Sequence, residues 1–205
     1  MAVRTRLCGL PSSEHKHYPV AGESFAGEER VRGAVTRTIR VDGEVDKLLR
    51  GFAEREGVSV NFLVGRSVKK YVEWDAHAEK FGFVAFPSSI VGRMMTYLTD
   101  QEARELGDWV GRNFIRQFLL FWFKKVDLET LLAGFPRLVA QYTRAFEYAE
   151  FEDGGTHAIV FNHAKGPRWS IYYEAVARGA FETLLGKEVK TERSEDQVVV
   201  RFRVA

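Results

Sequence analysis

The sequence predicts a mainly α protein with an α+β C-terminal part. A small strand-helix-helix unit is followed by a larger domain of helices ending in a β-α-β-β series. Three observations predict it. An alternating run, Val35 to Val41, leads at once into two amphipathic helical patterns separated by Gly57. From Pro87 to about Glu150 the apolar residues recur at spacings of three and four. Beyond Gly155, short alternating runs flank one long helical pattern.

The expected domains are a flexible tail over residues 1–34, the small unit over 35–75 and an α+β domain over 81–205. The tail scatters Gly, Ser, Glu and Pro without a period, so no apolar face can form there. Val35, Ile39 and Val41 share one side of the strand with Arg37, while Thr36, Thr38 and Arg40 share the other. Asp42 or Gly43 opens the first helix, with Glu44 and Asp46 against its positive end and Val45, Leu48, Leu49, Phe52 and Ala53 as its apolar stripe. Gly57 stops it. Ser59 caps a second helix, whose apolar side is Phe62, Leu63, Val64, Val68, Tyr71 and Val72. About 40 residues in three elements bury too little surface to fold alone, so this unit is expected to pair with a second copy.

Residues 75–80 either continue the second helix or link the domains, and residues 81–86 read as a short extended element. Pro87 and Ser88 open a helix to about Leu98. Thr99 and Glu102 form a capping-box pattern that starts a long helix to about Lys125, with Leu106, Val110, Phe114, Phe118 and Phe121 along one face and Trp109, Leu120 and Trp122 widening it. Asp127 caps a short helix ended by Gly134, and a further helix covers roughly Pro136 to Glu150. Then come a turn at 153–155, a strand over Thr156–His163, a helix over Arg168–Leu185, and a hairpin of Glu188–Arg193 with Gln197–Val204.

Bulk properties exclude little. The net charge of +2 over 205 residues neither demands nor rules out an anionic partner, so such a face must be local. A single cysteine, Cys8, forbids an intramolecular disulfide and suits a reducing cytoplasm. Arg4, Arg6 and Pro11 interrupt any secretory pattern, and the apolar run Phe118 to Phe123, bracketed by Arg116 and Lys124, is far short of the roughly 20 residues a membrane span needs. The expectation is a cytoplasmic protein without a membrane partner.

The five histidines show no metal spacing; His15 and His17 form a lone His-x-His pair in the tail, and no metal or other cofactor is expected. No nucleophile elbow, phosphate-binding loop or paired catalytic carboxylate occurs, and Cys8 has no nearby histidine, so an enzyme is not expected. A candidate ligand site is His163, Arg168, Trp169 and Ser170, at a strand end and the following helix start. The competing reading is an ordinary strand-to-helix connection with Trp169 in the core.

Residues 36–74 resemble the ribbon-helix-helix family, the dimeric Arc- and MetJ-like repressors. The resemblance implies a homodimer whose two strands pair as a ribbon in the DNA major groove. Thr36, Thr38 and Arg40 would then take the base-reading positions, and Ser59, Val60 and Asn61 the phosphate-anchoring ones. The chemistry agrees, since arginine bonds guanine bidentately, threonine offers a hydroxyl or meets a thymine methyl, and a helix N-terminus attracts an anion. Arg37 departs from the pattern, because it occupies an inward register that is usually apolar. Either it lies at the frayed start of the ribbon or the register begins at Thr38.

The expected function is a homodimeric, sequence-specific DNA-binding transcriptional regulator of repressor type. Its C-terminal domain would sense a small-molecule effector or assemble a dimer of dimers. The alternative is an antitoxin-type autorepressor whose C-terminal region binds a toxin. A third reading makes the N-terminal unit a mere dimerisation device for an enzyme or ligand-binding protein.

Overall fold

Local capping signals set most helix boundaries in the computed structural model, which describes residues 35–153 and 155–203. The tail, with Cys8, His15 and His17, lies outside the described residues. Asp42 caps α1 (Gly43–Glu56) by accepting from the Glu44 amide at 2.8 Å, and Gly57, at φ 66°, ends it. Ser59 caps α2 (Val60–Lys70) through the Phe62 amide at 3.1 Å.

The second helix does not stop there. It passes through a π-helical turn, Tyr71–Asp75, into α3 (Ala76–Phe81), with the Ala76 amide reaching back five residues to the Tyr71 carbonyl. Residues 75–80 therefore continue the helix. Residues 82–87 lead without regular structure into α4 (Ser88–Met95).

Thr99 and Glu102 close the expected capping box, and the long helix runs as α5 (Asp100–Trp109), a second π-helical turn (Val110–Phe114) and α6 (Ile115–Phe123). Its buried face differs from the expected one. Phe118 and Trp122 are fully buried, but Leu106, Trp109 and Leu120 are exposed, and Ala103, Gly107 and Gly111 turn inward instead. Close helix crossing is the reason. A methyl on Gly107 would lie 2.4 Å from the Tyr172 carbonyl oxygen, and one on Gly111 2.4 Å from that of Val176. The small residues, not the large ones, face the neighbouring helix.

Asp127 caps α7 (Leu128–Ala133), and α8 (Phe135–Thr143) follows Gly134. The helix expected over Pro136 to Glu150 ends early, because Arg144 adopts a left-handed conformation at φ 56° and the chain turns into β1 (Glu147–Asp153). β1 pairs with β2 (Thr156–Asn162) across a turn containing Gly155. After α9 (Pro167–Leu185), the expected hairpin appears as β3 (Lys190–Arg193) and β4 (Gln197–Arg203). The four strands form one antiparallel sheet in the order β1-β2-β4-β3.

The result is mostly helical with a small C-terminal antiparallel sheet, an α+β arrangement. Ile159, Phe161, Val198, Val200 and Phe202 line the inward side of the sheet and pack with Val176, Ala180 and Phe181 of α9. Phe118 and Trp122 stack at 4.3 Å in the same core, and Trp74, from the first π-helical turn, sits 5.5 Å from Trp122. No helix among the described residues is long and apolar enough to cross a membrane.

Candidate nucleic-acid interface

Residues 35–42 belong to no helix and no strand, and Thr36, Thr38 and Arg40 are all exposed. A strand needs a ladder partner, and this segment pairs with no other described residue of its own chain. Four cations of the unit, Arg37, Arg40, Lys47 and Arg55, have no ion-pair partner among the described residues, and Arg55 lies over the Phe52 ring at 4.6 Å. The others are engaged. Arg50 meets Asp46 at 2.7 Å, Arg66 meets Glu56 at 3.0 Å, Lys69 meets Glu73 at 3.7 Å, and Lys70 meets Asp75. Apart from Arg55 in the last turn of α1, the cations without an ion pair thus lie on the segment before α1 and on its first turns.

The start of α2 is also suited to an anion. The Val60 and Asn61 amides precede the helical ladder, and no acidic residue occupies the first turn. The first turn of α1, by contrast, carries Glu44 and Asp46 and is already compensated.

What the unit leaves uncovered is apolar. Val35, Ile39, Val41, Val45, Leu48 and Phe52 are exposed, as are Phe62, Val68, Tyr71 and Val72. Within the described part of the unit, burial of large apolar side chains is confined to Leu63 and Trp74, and Trp74 belongs to the C-terminal core.

The four residues of the candidate ligand site do not converge. The ring Nδ1 of His163 accepts from the Lys165 amide at 3.2 Å, which leaves Nε2–H to donate to the Ser170 hydroxyl at 2.9 Å. Ser170 in turn donates to the Glu195 carbonyl at 3.0 Å. Both side chains are buried, and burial lowers the His163 pKa to about 4, so the ring is neutral. With the proton on Nε2, His163 cannot take one from Ser170; the pair ties a strand end to a helix rather than forming a nucleophile and base. Arg168 points elsewhere, donating to the Thr96 carbonyl at 2.8 Å and to Asp100 at 3.2 Å. Trp169 packs against Tyr172 and Tyr173, and its buried indole N–H has no hydrogen-bond partner among the described residues. Successive helical residues diverge by about 100°, which is why three neighbours in sequence have three different surroundings.

An open cleft of about 720 Å³ adjoins His163, lined by Arg137 and Gln141 from α8, by Arg144 just beyond its end, and by Tyr148, Asn162 and Asp196 from the strand ends. The arginines were missed in the sequence, although their spacing, i, i+4 and i+7 with Gln141, is that of one helical face; in the structure Arg144 lies past the end of α8.

The N-terminal helical unit and this domain meet at the first π-helical turn. Trp122 Nε1 donates to the Glu73 carbonyl at 3.4 Å, and the Tyr142 hydroxyl donates to the Glu73 carboxylate. Burial and that carboxylate push the Tyr142 pKa well above its usual value. Among the described residues, no group of three or more His, Cys, Asp and Glu side chains could hold a metal ion. No family model matches the chain, and no curated protein matches it in sequence.

Proposed function

We propose that this chain is a homodimeric, sequence-specific DNA-binding transcriptional regulator of the ribbon-helix-helix type. The observation that carries the reading is the apolar surface of residues 35–72. Ten large apolar side chains there are exposed in the single chain, a density that marks an interface in a globular protein. Their positions follow the 35–41 segment and both helices, as expected when a second copy supplies the missing half of a core. In that dimer the two 35–41 segments pair as an antiparallel ribbon, and Thr36, Thr38 and Arg40 face the base edges. The uncompensated start of α2 receives a phosphate. Unpaired Arg37, Arg40 and Lys47 supply the local positive charge that the net charge of +2 does not.

The C-terminal α+β domain serves as the effector-sensing or assembly part, with the cleft beside α8 as the place for a small polar effector. Its large aromatic core does not favour a toxin-binding tail, which would be short and unable to fold alone.

The test is selection of bound fragments from genomic DNA, followed by binding of the selected duplex. A (pseudo)palindromic site is expected, with half-sites related by the protein twofold. Arg40→Ala should lose about 1–3 kcal/mol of discrimination at one base pair per half-site while the dimer persists. Unchanged specificity in both Arg40→Ala and Thr38→Ala removes the ribbon from this role.

A further inference from the structure

We propose that the outer face of α4, with the segment leading into it, is a second self-docking surface that joins two dimers into a tetramer. The starting observation is a short helix that is apolar on two sides. Val91, Met95 and Leu98, at spacings of four and three, pack into the core. Ile90, Met94 and Tyr97, at the same spacings one residue earlier, point outward and are about half to three-quarters exposed. Val84 and Phe86, just before the helix, extend the uncovered surface, with Val84 at 72% and Tyr97 at 74% exposure. A solvated helix of this length needs only one apolar stripe.

Two features identify the occupant as a second copy of this chain. The first is charge. Between Gly82 and Leu98 the sole charged residue is Arg93, and its guanidinium lies over the Tyr97 ring at 5.3 Å. Such a face offers a charged partner one cation, already set over an aromatic ring, and no anion. It meets its own image across a twofold without opposing charges at the centre, as an isologous contact requires. The second is area. Five side chains with this exposure present on the order of 600 Å² per chain, taking about 150–250 Å² for each. With a polar rim that approaches the roughly 800 Å² per partner of a standard interface. Met94 at the centre adapts its shape to an identical neighbour.

The surface lies on different elements from the apolar face of residues 35–72. Only the count of four rests on the dimer proposed above. Sedimentation equilibrium of the full chain separates the two readings. The wild type is expected to reach a tetramer at roughly micromolar concentration. The pair Ile90→Ser and Met94→Ser should weaken the tetramer step by at least about a hundredfold and leave a dimer that binds one operator as the wild type does. Leu48→Asp should leave a dimer that has lost DNA binding. If Leu48→Asp changes nothing while the α4 pair turns a dimer into a monomer, α4 docking stands and the ribbon dimer fails. Because the helix pair could perturb folding, Val84→Ser with Tyr97→Ser, outside α4, is read in the same way with circular dichroism. A wild type no larger than a dimer, unaltered by either pair, overturns the proposal. Protection of Met94 from radical oxidation in that dimer would then assign the cover to the chain's own residues 1–34. Free oxidation would show that nothing covers it.

Discussion

Replacing Leu48 with alanine separates a paired N-terminal unit from a solitary one. Leu48 is 62% exposed in the single chain. If it stays exposed, truncation changes stability by no more than about 0.5 kcal/mol. If a second copy closes over it, each chain loses part of the roughly 2–5 kcal/mol of a buried Leu→Ala change. The lower end applies, because about a third of the side chain is already covered within its own chain. Two copies per dimer then give about 4–6 kcal/mol, or three to four decades in the dissociation constant at about 1.4 kcal/mol per decade. Sedimentation equilibrium over a wide concentration range reads the constant, with circular dichroism confirming that the chain is folded. An association constant within threefold of the wild type (about 0.6 kcal/mol) would refute the dimer core argued from residues 35–72.

Three further predictions concern the body of the protein. Gly111→Ala places a methyl against the backbone of Val176 and Ala180, so the second π-helical turn and α9 must part; a loss of about 1–3 kcal/mol and a melting point lower by roughly 3–10 °C are expected, and an unchanged melting point would refute the close crossing. His163 has a folded pKa of about 4 against a usual 6.5, so in that interval the unfolded chain binds a proton the folded one does not. Its contribution is complete above about pH 6.5 and lost as pH falls toward 4, and melting curves of His163→Gln should lose that part of the slope. Tyr142→Phe leaves the Glu73 carboxylate without its hydroxyl donor, a loss of about 1–3 kcal/mol that should appear as faster amide exchange in residues 71–76.

Helix boundaries were legible where a short-range signal sets them. Asp42, Gly57, Ser59, Thr99 and Asp127 each act within three or four residues, and each does in the structure what its type requires. β1 was not legible. Glu147–Asp153, EYAEFED, has no β-branched residue, and its apolar positions continue the pattern of α8 plausibly enough to read as helix. The break comes from the left-handed Arg144, a backbone choice no local motif announces. The buried face of α5 failed for a different reason. A hydrophobic stripe search weights large side chains, whereas packing against α9 selected Gly107 and Gly111. At the candidate interface, the alternation of residues 35–41 was legible, but the strand it suggests is not formed within the single chain. Which cations are already neutralised by neighbours, and how much apolar surface the unit exposes, needed three dimensions.

The π-helical turn at Tyr71–Asp75 sets a phase as well as a joint. Residues 60–81 form one unbroken helix of about 33 Å at 1.5 Å per residue, with one end in the candidate DNA-reading unit and Trp74 locked in the core. One residue added to an α-helix turns everything beyond it by about 100°. The extra residue in this turn therefore sets the azimuth at which the N-terminal unit leaves the body. Deleting it would keep both halves folded but swing one around the other like a key recut at the wrong angle. For the proposed assembly, with several such units on one face of a duplex, that angle is a coding property of the chain, written in a single backbone insertion.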